Sequence, residues 1–197
     1  MNEPIDARAS EVLDFWFGPP GAADHLRPRE QWFRKDAAFD ARIAQRFGAL
    51  IEAALRGELA GWASTPRGAV AQIVVLDQFT RNAFRDSARM VDGDALALAA
   101  ARTLVAAGAD RALPGVMRQF VYLPFEHAED LTEQRRAVAL FTQLAADEPA
   151  LAGLVEWAQK HCDIVARFGR FPHRNALLGR ASTPEEIEFL RQPGSGF

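Results

Sequence analysis

Residues 36–62, "DAAFDARIAQRFGALIEAALRGELAGW", decide the fold class. Phe39, Ile43, Phe47, Leu50 and Leu55 lie broadly along one face at helical spacing, with charged residues between them. Asp36 stands where an N-cap belongs, and Gly57 and Gly61 weaken the helix after one long run. Nowhere in the chain does apolar and polar alternation persist over a strand length.

The same helical spacing extends in both directions. Residues 10–18, "SEVLDFWFG", read as a short helix capped by Ser10 and stopped by Gly18-Pro19-Pro20. Residues 65–84 open on Thr65 as cap and Pro66 as first helical residue. Residues 92–110 form an alanine-rich helix ending at Gly108, and residues 113–125 a shorter one broken before Pro124. Residues 129–147 and 148–169 make a short-linked, antiparallel pair, and Thr183, Pro184 and Glu186 announce a capping box. The expectation is all-α: a single domain over residues 1–197, an irregular array of about eight helices, with mobile ends at 1–8 and 192–197. No strict repeat is present.

Composition narrows the function classes. Of 197 residues, 49% are apolar and 25% charged, the balance of a globular chain, and the net charge of −3 argues against nucleic acid or anionic lipid as partner. One cysteine, Cys162, excludes an internal disulfide framework and suits a reducing cytosol as a small core residue. The start "MNEPIDARAS" has no signal-peptide pattern, and no apolar run is long enough to span a bilayer, so a cytoplasmic protein is expected. Trp16, Trp32, Trp62 and Trp157 read as packing anchors, and His25 as a solvated loop residue.

Three stretches hold more polarity than a solvent face requires. In "LDQFTRN" (76–82), Asp77 meets Arg81 and Gln78 meets Asn82 at helical i,i+4 spacing, either as a packing ion pair or as an acid aiming an arginine at a ligand. In "YLPFEHAEDL" (122–131), Glu126, His127, Glu129 and Asp130 gather at the start of the next helix; Glu126 beside His127 resembles a base and its orienting partner. In 157–184, His161 lies on the apolar side of a helix, and Asp163 is spaced to pair with Arg167. Arg167, Arg170, Arg174 and Arg180 then follow with His173, Asn175 and no acid. Those arginines either present donors to a ligand or neutralise the acids of 126–133.

Several chemistries are excluded. The chain has no phosphate-binding loop, no dinucleotide glycine pattern, no nucleophile elbow and no Glu-x-x-His pair for a di-iron site. One cysteine and four scattered histidines do not make a structural zinc site, so neither metal nor cofactor is expected. Arg167 and His173 match a helical-nuclease spacing poorly, because Gly169 and Pro172 interrupt them.

Taken together and in order, "VLDFWFG" (12–18), "LDQFTRN", "YLPFEHAED", "RFGRFPHRNALLGR" (167–180) and "STPEEIEFL" (182–190) resemble the bacterial family called domain of unknown function 924. The resemblance implies an all-helical fold similar to tetratricopeptide-repeat proteins and no assigned reaction.

Three functions remain open. In the leading one, Asp77, Gln78, Arg81, Asn82, His161, Arg170, Arg174 and Asn175 line a pocket for a small anionic ligand or a peptide carboxylate. The rival is a hydrolase-type enzyme using His127 or His173 as general acid–base with Glu126 beside it. The third is a structural or interaction protein, with a protein partner possible, whose polar cluster locks helix packing.

Overall fold

The structure, a computed structural model, describes residues 5–196. Residues 1–4 and 197, parts of the ends expected to be mobile, lie outside the described residues. Helices dominate, and no strand occurs among the described residues, so the fold is all-α. The α-helices are α1 (Ala7–Phe17), α2 (Ala37–Leu55), α3 (Pro66–Ile73), α4 (Thr80–Ala83), α5 (Asp94–Ala106), α6 (Gly115–Glu126), α7 (Leu131–Asp147), α8 (Gly153–Phe168) and α9 (Pro184–Leu190). A π turn, Val74–Phe79, joins α3 to α4 into one continuous helical run.

The chain groups into two compact units. The first holds the described residues up to Arg85, together with Arg89–Pro124; the second holds Asp86–Ala88 and the chain from Phe125 onward. The core of the first unit is aromatic. Phe15 contacts Phe39, Phe47 and Phe79 at ring separations of 5.6, 5.0 and 5.9 Å, and Trp16 stacks on Trp32 at 5.9 Å. Edge-to-face pairs of this kind add about 1 kcal/mol each beyond the area they bury. In the second unit α7 packs along α8 as a helical hairpin, and Ile164, Val165 and Phe171 form a core joined by Phe168 and Phe189.

Most helix signals stand as read. Asp36 caps α2 through Ala38 and Phe39 N–H, Thr65 caps α3 with Pro66 following, and Thr183 with Glu186 closes the capping box of α9. Several details differ, each for a physical reason. α1 begins earlier than Ser10, because Asp6 accepts the Arg8 N–H and serves as cap. α6 runs through Pro124 to Glu126: the proline removes one i→i−4 donor, and with two helical residues after it the disruption is confined to the last turn. The carbonyls of Glu126 and Ala128 are taken by the Gln134 amide at 2.6 and 2.7 Å.

Other corrections concern single side chains. Glu126 therefore ends one helix, and Asp130 alone caps the next, accepting from Thr132 and Glu133 N–H. Trp157 is half exposed, unlike Trp16, Trp32 and Trp62, because the buried stripe of α8 follows Ala158, Cys162 and Val165; Lys160 Nζ covers its ring at 4.6 Å. His25 is half-buried, with Nδ1 2.6 Å from the Gly18 carbonyl that ends α1. Asp163 accepts from Gln159 rather than pairing with Arg167, which reaches Glu185 instead. Cys162 is buried, as a core residue should be.

Candidate functional site

In the first unit the polar stretch 76–82 is built around the π turn. Such a turn carries one extra residue, so carbonyls within it lose their ordinary i+4 donors. Side chains supply replacements: the Thr80 hydroxyl donates to the Leu76 carbonyl at 2.6 Å, and Arg81 Nη1 donates to the Asp77 carbonyl at 2.6 Å. The same Arg81 nitrogen lies 2.9 Å from Asp77 Oδ1, and Nη2 lies 2.9 Å from Asp94 Oδ1. Gly93 fits underneath only because it lacks a side chain; a Cβ there would stand 2.1 Å from the Leu76 oxygen.

The expected Gln78–Asn82 contact is not the one formed. Gln78 donates to Asp77 Oδ2 at 2.7 Å, while Asn82 donates to Asp40 Oδ1 at 2.7 Å, and Arg85 grips the same carboxylate at 2.6 and 2.9 Å. Helical spacing brings Gln78 and Asn82 to one face, but the extra residue of the π turn rotates that face, so Gln78 turns to the adjacent Asp77 while the distant Asp40 takes Asn82. Burial raises the Asp40 pKa, yet the hydrogen bonds from Arg85 and Asn82 outweigh it and leave the carboxyl lowered. The stretch thus contributes to two ionic groups, Asp77–Arg81–Asp94 and Asp40–Asn82–Arg85, together called the knot here.

The basic turn of the second unit begins where Gly169, at φ 71°, ends α8 in a left-handed conformation and returns the chain to the core. Phe171 is thereby fully buried. Arg167 reaches Glu185, Arg170 holds Glu186 through two bonds of 2.7 and 2.8 Å, and Arg180 holds Glu129 through bonds of 2.5 and 2.8 Å. The acids of 126–133 supply Glu129, whereas α9 supplies Glu185 and Glu186, which sequence spacing did not single out as partners.

Consequences for charge follow directly. The Arg170 bonds, working against burial, bring the Glu186 carboxyl down to about 2. Burial pushes Glu129 up, but the Arg180 bonds and the Phe171 N–H outweigh it, and its pKa is lowered. Asn175, also buried, donates to Ser182 and Glu186 and accepts from Arg180, so its amide braces the turn internally.

Arg174 is surrounded differently. It is buried, donates to the His127 carbonyl at 3.1 Å, and lays its guanidinium over the Phe171 ring at 4.7 Å. His161 and His173 stand at 5.6 Å from the same ring, and His127 stands 6.4 Å from His161. His161 and His173 thus gather with Arg174 around one phenylalanine, and the His127 ring joins them through His161. Phe171 as their hub was not among the expected site residues; its position between Arg170 and Pro172 in an otherwise polar turn was the available signal.

Glu126 pairs with His161 rather than with its chain neighbour His127. Its Oε1 lies 3.1 Å from His161 Nδ1, which is also 2.9 Å from the Trp157 carbonyl. Both neighbours are acceptors, so Nδ1 carries the ring proton and Nε2 keeps its lone pair. Burial, together with the positive charge of Arg174 and the neighbouring imidazoles, holds the His161 pKa at about 3 against the opposing Trp157 carbonyl. His173 is brought to about 4, first by burial and then by Arg174. Both imidazoles are therefore neutral at pH 7, beside a permanent cation.

Two open hollows of about 360 and 310 Å³ lie in the first unit; Asp6, Arg8, Glu58 and Trp62 help line the larger. Its cation is already matched by Asp6 at 3.1 Å on an exposed surface. Among the described residues no group of three or more His, Cys, Asp or Glu side chains is arranged to hold a metal ion, and no helix is long and apolar enough to cross a membrane.

The chain resembles a solved structure of a protein of unknown function from Agrobacterium tumefaciens, with 41% identity and a TM-score of 0.81; the match covers 93% of this chain and 97% of the other. None of the curated proteins matches it. A family model described as a bacterial protein of unknown function (DUF924) matches residues 12–194. With the sequence motifs, the helical fold and nearly the full length in agreement, the chain belongs to the DUF924 family.

Proposed function

We propose that the second unit binds a small oxyanion, a carboxylate or phosphate-type group carried by a metabolite or a peptide end, at Arg174. The observation that supports this is the gathering of a buried guanidinium and two imidazoles around Phe171, with the His127 ring beside His161. A guanidinium is the side chain whose planar fork matches carboxylate and phosphate acceptors. Arg170, Asn175 and Arg180 brace this turn through Glu186 and Glu129. Asp77, Gln78, Arg81 and Asn82 belong to the ionic knot of the first unit, and in this reading their duty is structural. The lone buried thiol and mildly acidic balance fit a cytoplasmic setting for such a binder.

The test is a thermal-shift screen of the purified protein against acetate, phosphate, nucleotides and short peptides with free carboxylates. An anion that raises the melting temperature of wild type but not of Arg174→Ala supports the reading. Equal shifts in both proteins overturn it.

One observation favours a second reading, a hydrolase-type enzyme. The Glu126–His161 contact has the geometry of a carboxylate orienting a base, with Nε2 as the proton-accepting atom. It moves the base from His127 or His173 to His161. Esterase, amidase and phosphatase substrates assayed against wild type and His161→Gln decide this: turnover that survives the substitution removes His161 from the role.

A further inference from the structure

We infer that Gln134 is a positioning residue for the Glu126–His161 pair: its side-chain amide clamps the chain on both sides of His127 and, through the main chain, holds the Glu126 carboxylate on His161 Nδ1. The inference rests on the reading of His161 as a base.

The need for a clamp begins with the sequence. Glu126 is the last residue of α6, so its carbonyl has no donor from the helix that carries it. Pro124, two residues earlier, brings no N–H to the same turn, and the Ala128 N–H reaches the Phe125 carbonyl at 3.4 Å. Glu126 and Gln134 are 4% and 0% exposed, so the donor for that carbonyl comes from within the protein. Gln134, in the first turn of α7, supplies it: its amide donates to the Glu126 carbonyl at 2.6 Å and to the Ala128 carbonyl at 2.7 Å. Between those two, the His127 carbonyl accepts from Arg174 at 3.1 Å. The turn that leaves α6 is therefore fixed at three consecutive carbonyls, two of them by one side chain.

The hairpin that carries the amide also carries the base. α7 packs along α8, α8 presents His161, and Glu126 Oε1 approaches Nδ1 to 3.1 Å from the end of α6. Nδ1 has a second acceptor in the Trp157 carbonyl at 2.9 Å, a contact inside α8 that does not depend on α6. The ring tautomer is thus secured within α8, whereas the contribution of the carboxylate depends on where α6 ends. An orienting group works when held within about 0.5 Å of its place. Fixing the carbonyl of the residue that bears the carboxylate is a direct main-chain route to that precision.

Magnetic resonance of the full chain, isotope-labelled in histidine and glutamine, tests both ends of the clamp. In wild type the Gln134 amide protons should exchange slowly; free exchange overturns the clamp without any substitution. The His161 Nδ1 proton is the second readout, with Glu126→Gln marking where its resonance goes once the carboxylate is gone. Gln134→Met keeps the bulk and removes the donors, with Gln134→Leu as the alternative if it folds poorly by circular dichroism. Either variant should move the Nδ1 proton toward its Glu126→Gln position and speed its exchange by about tenfold or more. A substrate that wild type turns over through His161 should show kcat lowered by about a hundredfold in the Gln134 variant, with KM little changed. An Nδ1 proton shifted by Glu126→Gln but unmoved in the Gln134 variants overturns this inference and leaves the hydrolase reading standing. Turnover that survives His161→Gln overturns that reading, while the resonance arm still decides whether Gln134 holds the pair. A proton indifferent to Glu126→Gln overturns both.

Discussion

The Asp77–Arg81 knot and the Arg174 cluster are both buried polar assemblies centred on an arginine, yet their charges are arranged in opposite ways. In the knot every named contact of Arg81 is to an oxygen of Asp77 or Asp94, and each of those contacts repairs the helix or its neighbour. In the cluster Arg174 meets a main-chain carbonyl, an aromatic face and imidazoles whose pKa values are depressed. Buried charge matched by carboxylate serves the fold. A guanidinium set on an aromatic ring beside imidazoles is the arrangement proposed above to meet a ligand.

The largest expected effect tests the first half of that contrast. Asp77→Ala removes a fully buried carboxylate and leaves Arg81 to Asp94 and the main-chain carbonyl, for an expected loss of about 3 kcal/mol in urea unfolding. Next comes Gly93→Ala, whose new Cβ would press on the Leu76 oxygen from 2.1 Å; about 3 kcal/mol is expected, read by the same method. If either variant unfolds like wild type, the knot is not the structural element described here.

Arg174→Ala tests the second half. Among its contacts it forfeits a cation–π contact and a hydrogen bond to a carbonyl, about 2 kcal/mol for these two, and the variant should lose anion-dependent stabilisation, with circular dichroism as the control for folding. A loss as large as that of Asp77→Ala would erase the distinction between the two regions.

Smaller effects appear on titration. His161 and His173 have folded pKa values near 3 and 4, below the ordinary 6.5, so the unfolded chain binds more protons between those values. Stability is full above about pH 6.5 and falls as pH drops toward 4 and then 3. His173→Gln should flatten the upper part of that decline in melting temperature. Glu186 titrates lower: its carboxyl is depressed from 4.5 to about 2, so its contribution is present above pH 4.5 and is lost as pH falls toward 2. Glu186→Gln should remove that segment of the acid limb. The smallest effect is Thr183→Ala, about 1 kcal/mol for one cap.

How far the site was legible depended on the range of each contact. Asp77–Arg81 and the Thr183–Glu186 box lie within one helical turn, and the spacing alone places them. Glu126–His161 spans 35 residues of chain and Arg180–Glu129 spans 51, beyond what any local period encodes. The surplus of acids in 126–133 and of arginines in 164–184 hinted that these segments meet, but charge balance does not say which acid takes which arginine. Glu185 and Glu186 took two of them from the other side, because Gly169 and the following 3₁₀ turn direct Arg170 toward α9.

The sequence by itself determined the helical class, most helix starts and the residue types of the site, because capping and apolar periodicity act over three or four residues. Only the tertiary structure decided that Leu76 and Asp77 sit in a π turn closed by Thr80 and Arg81. It also decided that Glu126 turns to His161 and that Arg174 lies on Phe171 among three imidazoles. Those outcomes depend on burial and on competition between partners far apart in the chain, and both exist only once the helices have packed.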